Sequence, residues 1–145
     1  PMSRNAEPAM SDEPDFDLLF AAAARIQPRA YAPYSRFRVG AAILADDGAV
    51  YVGCNVENAA YPVGTCAEAG AISAMIAGGA RAIRAVLVFG EGEELVTPCG
   101  ACRQRIREFA MPDTPVAIAG PGGIRARFSL EQLLPASFGP ANLPA

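Results

Sequence analysis

Two short cysteine-bearing pieces, Cys66-Ala67-Glu68 and Pro98-Cys99-Gly100-Ala101-Cys102, constrain this chain more than anything else in it. Between them lies room for one helix and one strand. Two cysteines separated by two residues can ligate one metal from the start of a helix, and a third thiolate from elsewhere makes three ligands. A structural zinc site is closed by four protein ligands, whereas a catalytic one keeps a position open for water. The chain has no histidine to act as a fourth ligand, so Cys66, Cys99 and Cys102 point to catalysis. Glu68 follows Cys66 by two residues and can stand beside the metal without binding it, ready to take a proton from water. A single cysteine reads first as a small buried hydrophobe; three in this arrangement, with Pro98 and Glu68 in place, do not. Cys54 lies outside the arrangement and reads as strand packing.

Composition narrows the rest. The 145 residues, 52% hydrophobic and 19% charged, suit one compact domain with a substantial core. No apolar run approaches the roughly 20 residues of a membrane helix, and the N-terminus lacks a basic-then-apolar leader, so the chain reads as cytoplasmic. Disulfides are not expected, because Cys-x-x-Cys in an intracellular enzyme more often serves metal or redox chemistry. With a net charge of −3 and no lysine, the chain has no broad basic surface for a phosphate backbone. Arg103, Arg105 and Arg107 alternate around a helix and read as solvated surface.

Periodicity and turn chemistry give the order α-β-β-α-β-α-β-β-α. Residues 1–14 are polar and proline-bearing and are expected to be disordered, with Pro1 ahead of Met2 reading as an appended residue. Residues 15–145 form the domain. A helix with one apolar face runs from Asp15, its cap, to Ile26. Strands at Phe37–Leu44 and Ala49–Val56 flank Asp46-Asp47-Gly48, a strong hairpin signal. A helix at Ala67–Ala77 stops at Gly78-Gly79. Ala85–Gly90 lacks polar alternation and reads as a central strand covered on both faces. A helix from Gly100 to about Phe109, strands at Val116–Ala119 and Ile124–Phe128, and a short helix capped by Ser129 complete a mixed sheet with helices on both faces.

The motif and three further stretches, Tyr31-Ala32-Pro33-Tyr34-Ser35-Arg36-Phe37, Gly53-Cys54-Asn55-Val56-Glu57-Asn58-Ala59-Ala60-Tyr61 and Pro135-Ala136-Ser137-Phe138-Gly139, resemble the cytidine deaminase family in its small three-cysteine form. The resemblance covers most of the chain. It implies a cytidine-deaminase-like three-layer α/β/α fold with a mixed five-stranded sheet. It also implies one zinc ion per chain and hydrolytic deamination of cytidine and 2'-deoxycytidine in pyrimidine salvage. The implied partner is a small nucleoside and not a nucleic acid polymer or a membrane, and the implied assembly is a homotetramer with shared active sites.

Residue by residue, the resemblance makes Cys66, Cys99 and Cys102 the zinc ligands and Glu68 the proton carrier. Asn55 and Glu57, two apart on a strand, share a face and can hydrogen-bond sugar hydroxyls, although such a pair is commonly just solvated; the resemblance favours the sugar. It places Phe37, a core residue by default, against the base, puts Ala67 in the substrate site, and sends Phe138 to a neighbouring subunit's site.

One position departs from the family pattern. Many relatives carry Arg after the catalytic Glu, where Ala69 stands here. The charge of three thiolates then falls to backbone N–H groups at the helix starts, or to another arginine, Arg103 being nearest in sequence; the backbone donors are expected to carry most of it, because any helix bearing these ligands has them. Rival readings are a deaminase of another aminated pyrimidine nucleoside such as blasticidin S, a thiol redox protein using Cys99 and Cys102, and a non-catalytic zinc module.

Overall fold

A computed structural model describes residues 13–144. The expectation of disorder for residues 1–14 falls almost wholly outside that range. Helix α1 (Phe16–Ile26) is capped by Asp15, whose carboxylate accepts from the Leu18 N–H at 3.1 Å. Strands β1 (Val39–Ala45) and β2 (Val50–Cys54) form the hairpin, with Gly48 at φ 81° in the left-handed region that its turn needs. Then follow α2 (Ala67–Ala77), β3 (Ile83–Gly90), α3 (Gly100–Phe109), β4 (Pro115–Gly120), β5 (Gly123–Ser129) and the short α4 (Leu130–Leu133). Ser129 and Gln132 make a reciprocal capping box at α4.

The sheet order is β2-β1-β3-β4-β5, with β3 and β4 parallel and the other neighbours antiparallel. Alternation along β3 divides the core in two. Val86 and Val88 pack with Ala71, Met75, Ile106 and Leu130 on the face covered by α2, α3 and α4. Ala85, Leu87 and Phe89 face Leu19 and Ala23 of α1. β3 is therefore central and apolar on both sides, and each fully buried aliphatic side chain contributes about 1.5–3 kcal/mol.

Three strand boundaries differ from expectation by two residues. The first strand begins at Val39, leaving Phe37 in the preceding loop, and β2 stops at Cys54. The cause is Asn55: its N–H still donates to the Val39 carbonyl at 3.3 Å, but its Oδ1 accepts from the Val39 N–H and its Nδ2 donates to the Phe37 carbonyl, both at 2.8 Å, so a side chain takes over the return bond and the ladder ends there. Asn55 and Glu57 accordingly lie beyond regular β2, and Val56 between them bridges to Tyr31 and Thr65. β3 starts two residues early, at Ile83, where a shift in its pairing with β1 at Leu44 and Ala45 lets Ile83 join the ladder.

Candidate metal centre

The centre forms where two helices start against the sheet. Cys66 occupies the N-cap position of α2 and Cys99 that of α3, while Cys102 lies in the first turn of α3 and is fully buried. Gly53 of β2 makes this placement possible. A Cβ there would sit 2.3 Å from both the Ala67 carbonyl oxygen and the Ala71 nitrogen, so only glycine lets α2 approach this closely.

The three sulfurs lie within 4.8 Å of one another, with Cys66 and Cys99 Sγ atoms 3.9 Å apart. Tetrahedral zinc with Zn–S bonds near 2.3 Å needs sulfurs about 3.8 Å apart. The spacing fits zinc, and the donor set is one that zinc favours. All four cysteines, Cys54 included, are free thiols.

Electrostatics at the centre have separate causes. Burial pushes the Cys66 thiol up, opposed in part by the Cys102 thiol; burial, then the charges of Glu68 and Cys66, push Cys102 up strongly. Burial acts the same way on Cys99, but N–H groups of Cys102 and Ala101, together with the neighbouring thiols, outweigh it and lower this thiol. Glu68 is 4% exposed, and burial raises its carboxyl above the usual range while its own N–H, Cys102 and Arg105 pull it partly back. A buried carboxyl of raised pKa is suited to carrying protons near neutral pH.

An open cleft of about 290 Å³ lies over the centre, and its wall includes Asn55, Glu57, Cys66, Ala67, Glu68 and Cys99. Glu57 and Tyr61 are shared with an adjoining cleft of about 340 Å³ that Tyr34 and Ser35 also line. Glu57 accepts from the N–H groups of Tyr34 and Ser35 and from the Ser35 hydroxyl. Phe37, 40% exposed, lines a neighbouring cleft that meets the first at Val96 and Thr97. Phe138 lines none of these clefts; the residue is 58% exposed and its carbonyl accepts from Gln104 Nε2 of α3 at 2.8 Å.

The α3 arginines are not simply solvated surface, as their alternation suggested. Arg103 donates to the carbonyls of Pro98 and Leu133, each at 2.7 Å, and to the Thr97 hydroxyl. Arg107 donates to the Ser137 hydroxyl at 2.9 Å. Arg105 Nη1 lies 3.6 Å from Cys102 Sγ. Arg103, nearest to the motif in sequence, is thus turned to the loop before Cys99 and to α4, and Arg105 reaches the sulfur. Its offset of three residues from Cys102, which puts both on one helix face, was the available signal. For Tyr34, Ser35 and Tyr61 the signal was an aromatic-rich loop.

Comparison with known proteins agrees with this geometry. The model of the cytidine and deoxycytidylate deaminase zinc-binding region matches residues 15–118. A cytidine deaminase from Sporosarcina psychrophila is 41% identical over 129 residues, covering 89% of this chain and 95% of that protein. One from Mycobacterium tuberculosis is 43% identical over 131 residues, covering 90% and 94%. The crystal structure of cytidine deaminase from Burkholderia pseudomallei superposes with a TM-score of 0.80 at 41% identity, covering 86% of this chain and all of that one. Fold, zinc-ligand spacing and sequence agree, and the chain belongs to the cytidine and deoxycytidylate deaminase family.

Proposed function

We propose that this chain is a zinc-dependent cytidine deaminase, which hydrolyses the C4–amino bond of cytidine and 2'-deoxycytidine to give uridine or 2'-deoxyuridine and ammonia. The observation that carries this is a buried Glu68 beside three converging cysteine sulfurs at an open cleft. Zinc, when bound to Cys66, Cys99 and Cys102, supplies the Lewis acidity that makes water nucleophilic at neutral pH. Glu68 takes the proton of the attacking water, passes it to pyrimidine N3, and then helps protonate the departing amine.

The remaining residues hold the nucleoside. Asn55 and Glu57 serve the sugar: each is oriented by bonds to the 34–39 segment and retains capacity for a hydroxyl, since a carboxylate offers about four acceptor sites and an amide a second N–H. Ala67 lies against the base from the wall between Cys66 and Glu68. Phe37 stacks on the base, a contact worth about 1–3 kcal/mol. Phe138 completes a neighbouring subunit's site in a homotetramer, a reading supported by its exposure and by that of Tyr61, 74% exposed. Four free thiols suit a reducing cytoplasm, where the reaction would serve pyrimidine salvage. No helix among the described residues is long and apolar enough to cross a membrane.

An absorbance assay with cytidine, 2'-deoxycytidine, cytosine and blasticidin S, run beside zinc quantification, tests the reading. Turnover is expected with both nucleosides and little with cytosine, which offers no sugar to Asn55 and Glu57. Glu68→Gln should retain zinc and lose turnover by about 10²–10⁴-fold. A Glu68→Gln variant whose rate stays within a few-fold of wild type at equal zinc occupancy would remove Glu68 from the chemistry, and turnover of blasticidin S alone would favour the antibiotic-deaminase reading.

A further inference from the structure

Three thiolates around one divalent zinc leave a charge of about −1, and an ionised Glu68 beside them makes it more negative. In water such an excess costs little, but Cys102 and Glu68 are buried, and at low dielectric it needs a counter-charge. The chain contains neither lysine nor histidine, so the cation can only be arginine. Helix α2 carries no basic residue, and the position after Glu68 is Ala69. On α3, Arg103 is committed to two carbonyls and a hydroxyl, and Arg107 to Ser137. Among the described residues, Arg105 is the arginine hydrogen-bonded to a cysteine sulfur, with Nη1 3.6 Å from Cys102 Sγ.

The helix start and the arginine serve different sulfurs. Cys99 occupies the N-cap position of α3, where the positive end of the helix favours a thiolate, while Cys102 sits in the first turn with its sulfur on the face that Arg105 shares three residues on.

We propose that Arg105 is the charge-balancing residue of the zinc centre, acting through Cys102 to strengthen zinc binding from α3, where α2 supplies no cation at Ala69. Arg105 does not line the cleft over the centre and reaches it through Cys102, so it is a positioning residue, and its effect is read in metal affinity. The proposal rests on the assignment of Cys66, Cys99 and Cys102 as zinc ligands. Removing an outer partner of a metal ligand typically weakens metal binding about 10–100-fold.

Competition of the full chain against a chelating zinc indicator, under reducing conditions and with zinc alone as the probe, tests this. Arg105→Gln is expected to weaken zinc binding about 10–100-fold, and Arg105→Lys, which keeps the charge, to recover most of that loss. Because Arg105 is exposed, neither substitution opens a cavity, and unfolding of the metal-free variants should follow the wild type. A wild type that binds no zinc would overturn the ligand assignment itself. A wild type that binds one zinc tightly, with Arg105→Gln binding it equally well, would overturn the role of Arg105 alone. A loss in Arg105→Lys equal to that in Arg105→Gln would likewise overturn it, because a charge effect must survive that exchange.

Discussion

Glu57 shows how one side chain can hold a loop and face a ligand. The Ser35 hydroxyl, against the opposing effect of partial desolvation, and then the N–H groups of Ser35 and Tyr34 hold its carboxyl below the usual carboxylate range. A depressed folded pKa means that the ionised form favours the folded loop. That contribution is fully present above the unfolded value and is lost as pH falls through the depressed one. Ser35→Ala removes the largest stabilising contact, so the Glu57 titration should move upward toward the ordinary carboxylate value. The KM for cytidine should then begin its acidic rise at a higher pH than in wild type. Carbon-detected NMR of the Glu57 carboxyl reads the first effect and initial-rate kinetics the second. A titration unchanged by Ser35→Ala would show that the backbone donors alone suffice. The pairing of Glu57 with Ser35 spans 22 residues, and no local pattern announces it.

At the scale of elements, the decisive contact is β2 against the start of α2. Helix α2 presents Cys66 and Glu68 because its first turns lie almost on the backbone of Gly53. Gly53→Ala should push α2 outward, since the clashing atoms are backbone and cannot rotate away. Overpacking of this kind costs about 1–3 kcal/mol. It should also lower zinc occupancy, because Cys66 moves with the helix while Cys99 and Cys102 stay on α3. Thermal unfolding and metal analysis check both, and wild-type values in both would refute the account. A second contact at this scale is α3 with the chain that follows it: Gln104 and Arg107 bind the Phe138 carbonyl and the Ser137 hydroxyl. The start of α3 thus carries two proposed zinc ligands, Cys99 and Cys102, and the helix carries their proposed counter-charge and the anchor of the C-terminal segment.

For the whole molecule, one sheet separates two apolar layers, and the metal centre sits at the edge of the layer under α2 and α3. Tyr61, Val63, Phe138 and Leu143 are exposed on the single chain, as expected of surfaces that subunits would cover in the proposed tetramer. Ending the chain after Pro135 removes Phe138 and the segment tied to α3 but no member of the buried core. The shortened protein should fold, lose activity and shift from tetramer to smaller species. Sedimentation with a parallel deaminase assay measures this; a fully active monomer would contradict shared sites.

Read alone, the sequence determined the order of elements, the central place of β3 and the pairing of Cys66 with the Cys99-Cys102 motif. These depend on local spacing: an apolar run without alternation, caps at Asp15 and Ser129, and cysteines set at helix starts. The comparisons also bear out the family and the zinc chemistry inferred from that motif. Tertiary structure alone decided where β1 begins, because that depends on an Asn55 side chain 16 residues from the Val39 N–H it receives. It alone decided that Arg103 would secure the loop before Cys99 and α4, whereas the contact of Arg105 with the buried sulfur follows from their three-residue spacing on α3. An arginine on a helix has the reach to find many partners, and Arg103 finds its own because of how α3 packs against α4 and the loop before Cys99, a geometry that no single stretch of chain encodes.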